Sequence, residues 1–340
     1  MLVWCALYWA GAGAWSVAPV SPLARSFAPS PRAPGRPSLT HAVAREAGTD
    51  AAGTLAALWQ MARPRTLPQS VVLLLFGAYG AELNANFLFR AAARRELCLL
   101  AATVVLTTAT SMLVNDYHDF ALGVDTAESR AERALVRGSV TPEVVKAVCK
   151  CLYAVHILLT LLVREPSVRL CVYANTLATF LYSKWFKPVP IVKNALCATV
   201  ISTTVALGAT VVTGSLGAAV RSVWKLMLLV GCGIAHREMV MDVDDMRADG
   251  KAGVRTVPVL VGARPALALS CAPLALPIAA SIAGRGISVL AVLPLVAMCA
   301  LAARAAAEQA GSAGFHTSVG CAVELAPLFI LLSLAGALRT

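Results

Sequence analysis

From residue 67 onward the chain alternates between apolar runs of roughly twenty residues and short polar breaks. A bilayer's hydrocarbon core takes about 20 helical residues to cross. The runs are too long and too evenly apolar for barrel strands, which alternate over about ten residues. The pattern therefore predicts an all-α polytopic membrane protein. Nine transmembrane helices are expected, near 67–87, 97–115, 144–163, 168–183, 194–213, 223–241, 264–283, 286–303 and 319–338.

The polar breaks are not equivalent. With nine spans, the N-terminal tail and every second connection share one side, and that side carries twenty of the 29 Lys and Arg. By the positive-inside rule it faces cytosol or stroma. The two longest connections, 116–143 and 242–263, both lie there, and each opens on an acidic cluster at a helix end.

Composition agrees with a membrane protein: 58% of residues are apolar and 14% charged, against about a quarter charged in soluble domains. The net charge of +11 reads as leader plus membrane-surface bias, so no nucleic-acid partner is expected. The ten Cys are scattered through apolar runs without a C-x-x-C pair, which suits packing rather than a disulfide frame or a soft-metal site.

The first cluster is "NDYHDFALGVD", with Asn115, Asp116, Asp119 and Asp125. Asp116 and Asp119 are three apart and share a helix face. Asp125 would point away on an unbroken helix, but Gly123 is placed to end the helix and let a loop carry Asp125 back. The second cluster is "DVDDMRAD". On a helix Asp242, Asp245 and Asp249 form one stripe about 60° wide. Asp244 faces off it, as a solvated or Arg-paired surface residue.

Two such stripes on one membrane side can face each other, and so many carboxylates stay ionised together only beside cations. Hard oxygen donors without His or Cys suit Mg²⁺, which completes its shell with waters and phosphate oxygens. That points to a diphosphate ligand, with Arg133, Arg137, Lys184, Lys187, Lys193 and Arg255 available for its remaining charge.

Before the first span, residues 2–15 are apolar but too few to cross a bilayer, and 16–45 hold Ser, Pro, Ala and four Arg with no acid before Glu46. A signal-like segment followed by a transit-like segment is expected to be a targeting leader over 1–50, directed to a plastid membrane. The membrane domain is expected over 54–340.

On these motifs the sequence resembles the UbiA superfamily of intramembrane prenyltransferases. "NDYHDFALGVD" is similar to its first aspartate motif and Asp242, Asp245 and Asp249 to its second, and the likeness covers roughly 59–338. The resemblance implies nine helices around a central cavity open to lipid. It also implies Mg²⁺ held by Asn115, Asp116, Asp119 and Asp125 with Asp242, Asp245 and Asp249, bridging the diphosphate of an isoprenoid donor. Asp116, Asp119, Asp242 and Asp245 would be the catalytic set. Asn115, Arg133, Tyr182 and Lys187 would contact substrate.

Within the superfamily the two halves differ. "ARPRTLPQS" and "NDYHDFALGVDTAES" resemble the 1,4-dihydroxy-2-naphthoate branch of quinone synthesis. "HREMVMDVDD" looks more like the branch that prenylates glycerol phosphate lipids, and partly like the homogentisate and chlorophyll branches. The expected reaction is Mg²⁺-dependent transfer of an isoprenoid to a lipophilic-product acceptor, with an aromatic naphthoate ring leading and the other acceptors as alternatives. The rival class is a secondary transporter, since intramembrane carboxylates also mark ion pathways. Here the acids cluster at helix ends on one side rather than at the midplane.

Overall fold

A computed structural model describes residues 51–187 and 189–338. The leader expected over 1–50 and the side chain of Lys184 lie outside the described residues. The described chain is helical, without strands. In order the helices are α1 (Ala51–Met61), α2 (Leu67–Glu82), α3 (Ala91–Leu122), α4 (Pro142–Leu161), α5 (Pro166–Leu181), α6 (Val192–Thr213), α7 (Leu216–Ala252), α8 (Val257–Val261), α9 (Ala263–Ser270), α10 (Ala272–Ile282), α11 (Val289–Ala307) and α12 (Ala313–Ala337).

Among the described residues seven segments are long and apolar enough to cross a membrane: α3, α4, α6, α7, the α9–α10 pair, α11 and α12. The chain is an integral membrane protein. The first and fourth of the nine expected spans form helices, α2 and α5, but of 16 residues each. At 1.5 Å per residue such a helix covers about 24 Å, short of a core about 30 Å thick. The expected seventh span is broken at Cys271, because Pro273 has no N–H to offer the carbonyl four residues back.

Small residues set the closest packing. Gly77 on α2 and Gly208 on α6 let the two backbones touch: a Cβ on Gly77 would stand 1.9 Å from the Val205 carbonyl oxygen, and one on Gly208 1.9 Å from that of Leu74. In lipid, helix association depends on such contact rather than on water exclusion. The largest buried cluster joins α2, α6, α7, α10, α11 and α12 through residues such as Leu73, Val205, Leu229, Leu295 and Ile330. A second joins α1, α3 and α4 and includes Ala134, Leu135 and Val140, so the α3–α4 connection is folded onto the bundle.

The two helices that carry the acidic clusters end alike. α3 stops at Gly123 (φ 75°) and α7 at Gly253 (φ 76°), in the left-handed region where glycine is favoured. The Asp119 carbonyl accepts from the Val124 N–H at 2.9 Å, and the Asp249 carbonyl from that of Val254 at 2.8 Å. Both are Schellman-type closures, and both valines are buried as that motif favours. The sequence behind each is Asp-x-x-x-Gly-Val.

Candidate active site

One cavity of about 400 Å³ gathers residues from α2, α3, the α3–α4 connection, α5, α6, α7 and α12. Its polar end is built from the two acidic helix ends. Asn115 and Asp119, four apart on α3, line it together, and the Asn115 side-chain amide donates to Asp119 Oδ2 at 2.9 Å. The turn at Gly123 returns the chain, so Asp125 also lines the cavity and lies 3.9 Å from Arg133 Nε. Burial, and next the charge of Asp119, push the Asp125 carboxyl up to about 6, with Arg133 opposing. From α7, Asp242, Asp245 and Asp249 all reach the cavity, as the helical stripe predicts. Asp244 is half-exposed at the rim, 3.9 Å from His316 Nδ1.

Asp116 does not join them. It is 5% exposed yet absent from the cavity wall. Arg63 Nη2 donates to its Oδ1 at 3.0 Å, and Arg133 Nη1 to its two oxygens at 3.2 and 3.3 Å. Asp116 and Asp119, expected to look into one site from a shared helix face, do not both reach the cavity. Asn115 and Asp119 face the cavity, and α3 turns Asp116 toward two arginines behind it.

Lysines and arginines interleave with the acids. Lys187 pairs with Asp119, Arg130 with Asp245, and Lys193 with Asp242, which also accepts from the Asn194 amide at 3.2 Å. Arg237 Nη1 donates to its neighbour Glu238 at 3.1 Å. Tyr182 and Lys187 are brought to the cavity by a π-helical turn, Tyr182–Phe186, that continues α5 and is closed by the Lys187 N–H on the Tyr182 carbonyl at 2.9 Å. Such turns re-aim side chains and recur at functional sites.

Of the site residues expected from sequence, Asn115, Asp119, Asp125, Arg133, Tyr182, Lys187, Lys193, Asp242, Asp245 and Asp249 line this cavity. Arg137 and Arg255 do not, Glu238, which a hydroxyl acceptor would need as its base, does, and Arg63, Arg130 and Arg237 were not expected there. Arg63 had one local signal, its place in "ARPRT", where a non-glycine residue sits at φ 50°.

In charge the cavity is nearly balanced: seven carboxylates line it with six basic side chains. Among the described residues no three His, Cys, Asp or Glu stand close enough to hold a metal ion as they are. The donor set nonetheless fits a hard divalent cation: carboxylate and amide oxygens only, with Asp119, Asp242 and Asp245 paired to basic groups that a diphosphate would also attract. Away from the charges the wall becomes apolar, through Leu73, Val104, Val172, Leu207, Val230 and Ile330.

A membrane-embedded helical bundle with paired aspartate helices, a ring of basic groups and an apolar recess defines a site for a molecule with an anionic head and a hydrocarbon tail. The sequence profile of the UbiA prenyltransferase family matches residues 70–318, and the chain belongs to that family. A curated relative from Natronomonas pharaonis, named digeranylgeranylglyceryl phosphate synthase, is 33% identical over 174 residues. That match covers 51% of this chain and 60% of the relative, so the chain spans about six-tenths of the relative's length.

The apo structure of a UbiA homologue from Aeropyrum pernix K1 shares the fold, with TM-score 0.59 and 22% identity over 79% of this chain and 98% of the other. A UbiA homologue from Archaeoglobus fulgidus, solved bound to GPP and Mg²⁺, gives TM-score 0.57 and 17% identity over 84% and 100%. These archaeal relatives carry no support for a plastid location. The Natronomonas relative's name is that of a glyceryl phosphate synthase, not of a naphthoate prenyltransferase.

Proposed function

We propose that the protein transfers an isoprenoid from an allylic diphosphate to the hydroxyl of a glycerol phosphate-type lipid, with Mg²⁺ as cofactor. The observation that carries this is the convergence of Asn115, Asp119 and Asp125 with Asp242, Asp245 and Asp249 on one cavity that turns apolar. These six residues would hold the metal, which when bound supplies Lewis-acid stabilisation to a leaving diphosphate. Lys187, Arg130 and Arg133 would hold the diphosphate oxygens as its C–O bond breaks and the electron pair departs with it. The apolar wall keeps water from the allyl cation and takes the hydrocarbon chain.

The acceptor follows from α7. Arg237 and Glu238, which precede the second aspartate motif, both line the cavity. A hydroxyl oxygen attacking the cation must lose its proton, and Glu238, buried one turn before Asp242, would accept it. An aromatic ring carbon would need no such base during attack. The glycerol phosphate reading is also the one that the named Natronomonas relative favours.

In topology the reading is nine crossings. α5 and the π-helical turn together run from Pro166 to Phe186, and α2 lies backbone to backbone on the spanning helix α6.

The test is product identification by mass. Purified protein receives geranylgeranyl diphosphate and Mg²⁺ with either a geranylgeranylglyceryl phosphate or 1,4-dihydroxy-2-naphthoate. An ether product with diphosphate release supports the reading. A carbon-linked prenyl naphthoate alone overturns the acceptor, and substrate flux without bond cleavage overturns the class.

A further inference from the structure

We propose that Asp116 is a positioning residue: it anchors Arg63 and Arg133 as a two-arginine clamp for the donor's diphosphate, and it is not a metal ligand. The proposal rests on the donor reading above.

Three features of the structure carry it. First, Asp116 is buried but does not line the cavity, whereas both arginines do. Its oxygens face Arg63 at 3.0 Å and Arg133 at 3.2 and 3.3 Å, so its carboxylate is engaged by guanidinium groups. Charge-assisted contacts of this kind fix geometry as well as charge.

Second, the two arginines come from separate segments whose neighbours pack into one buried cluster, Met61 and Ala62 beside Arg63 and Ala134 and Leu135 beside Arg133, so the backbone brings them close and Asp116 sets where their side chains point. Arg63 lies between α1 and α2, Arg133 in the α3–α4 connection. Arg63 holds a left-handed backbone (φ 50°, ψ 65°), uncommon for a residue with a Cβ. That turn is closed by the Thr66 N–H and hydroxyl on the Arg63 carbonyl, at 2.9 and 2.8 Å. Strain of this sort persists where the surroundings over-determine it, and it clusters at binding sites.

Third, Arg133 has donor capacity to spare. Its Nε is buried with no hydrogen-bond partner among the described residues and lies 3.9 Å from Asp125 Oδ2. A guanidinium held on one edge by Asp116 retains other N–H groups for an incoming phosphate oxygen. Asp116 thus neutralises part of the clamp's charge while the clamp waits and fixes where it points.

The experiment uses the full chain in detergent with four variants: Asp116→Asn, Asp119→Asn, Arg63→Gln/Arg133→Gln, and the triple Arg63→Gln/Arg133→Gln/Asp116→Asn. Mn²⁺ binding, read by electron paramagnetic resonance without donor, separates ligand from anchor. Asp116→Asn is expected to keep wild-type Mn²⁺ affinity within about twofold, while Asp119→Asn weakens it at least about tenfold. With Mg²⁺ present, Asp116→Asn should weaken inorganic diphosphate binding and raise donor KM by about tenfold or more. In the Arg63→Gln/Arg133→Gln background the same change should add almost nothing, because the groups it positions are gone.

Loss of Mn²⁺ affinity in Asp116→Asn equal to that in Asp119→Asn overturns the proposal. So does a full further loss of donor affinity in the triple variant. If Asp116→Asn does not fold, comparing the triple with the double variant still decides, since neither keeps a clamp to hold. Wild-type protein that binds Mn²⁺ but neither binds diphosphate nor cleaves any allylic donor would instead refute the donor reading, leaving the Mn²⁺ comparison to judge Asp116.

Discussion

Arg130, in the connection after α3, forms an ion pair with Asp245 on α7, 115 positions later in the chain. The contact ties the connection that follows the first acidic motif to the second motif, and requires both connections to lie on the same side of the membrane. Epitope tags near Ala127 and near Lys251 should therefore be reached by antibody from one side, and a tag at Gly284, in the turn between α10 and α11, from the other. Opposite labelling of the first two tags would make the shared cavity impossible.

The same ion pair separates stability from function. The two side chains are 33% and 38% exposed, so the pair contributes about 1 kcal/mol or less. Asp245→Asn should leave the unfolding temperature in detergent nearly unchanged while Mg²⁺-dependent diphosphate release falls about a hundredfold or more. A chelator should abolish release in the wild type. Turnover that survives either treatment would remove the metal from the mechanism.

How much of this was legible in the sequence depends on range. The stripe of Asp242, Asp245 and Asp249, and the return of Asp125 past Gly123, follow from helix geometry and a glycine's freedom within a dozen residues. The partners do not: Arg63 with Asp116, Arg130 with Asp245 and Lys193 with Asp242 are all at least 48 positions apart. The phase of α3 was also hidden. At 100° per residue Asp119 lies about 40° from Asn115 and about 60° from Asp116, so the motif alone does not say which of the two faces the cavity with it. Packing against the arginines decides that. Span counting met a similar limit, because hydropathy marks α2 and α5 as apolar but does not give the point where backbone geometry ends each helix.

The Gly77 and Gly208 contact gives a prediction about the frame rather than the site. Gly77→Ala puts a methyl group into the Val205 carbonyl, and α2 must move away from α6. Overpacking of this kind costs about 1–3 kcal/mol or more. Gly320→Ala on α12 meets nothing within 4 Å and should stabilise by roughly 0.5–1 kcal/mol through helix propensity. Thermal unfolding of both variants in the same detergent checks the pair. Equal behaviour would mean that the close α2–α6 approach does not contribute to stability.

Lys193 and Asp242 offer the sharpest separation of charge burial from catalysis. They are 7% and 2% exposed and paired to each other, with Asn194 as the carboxylate's other donor. Lys193→Met removes the cation and leaves a buried carboxylate with one amide for company. Breaking a buried pair from one side costs about 3–5 kcal/mol, so this variant should unfold well below the wild type. Adding Asp242→Asn removes the stranded charge and should restore most of that stability, because a neutral amide needs no counterion. It should not restore turnover, since Asp242 is proposed as a metal ligand. Thermal unfolding and diphosphate release measured on the single and double variants check both halves. Recovery of turnover together with stability would show that turnover needs neither Lys193 nor Asp242, and the metal set would then have to be drawn without Asp242.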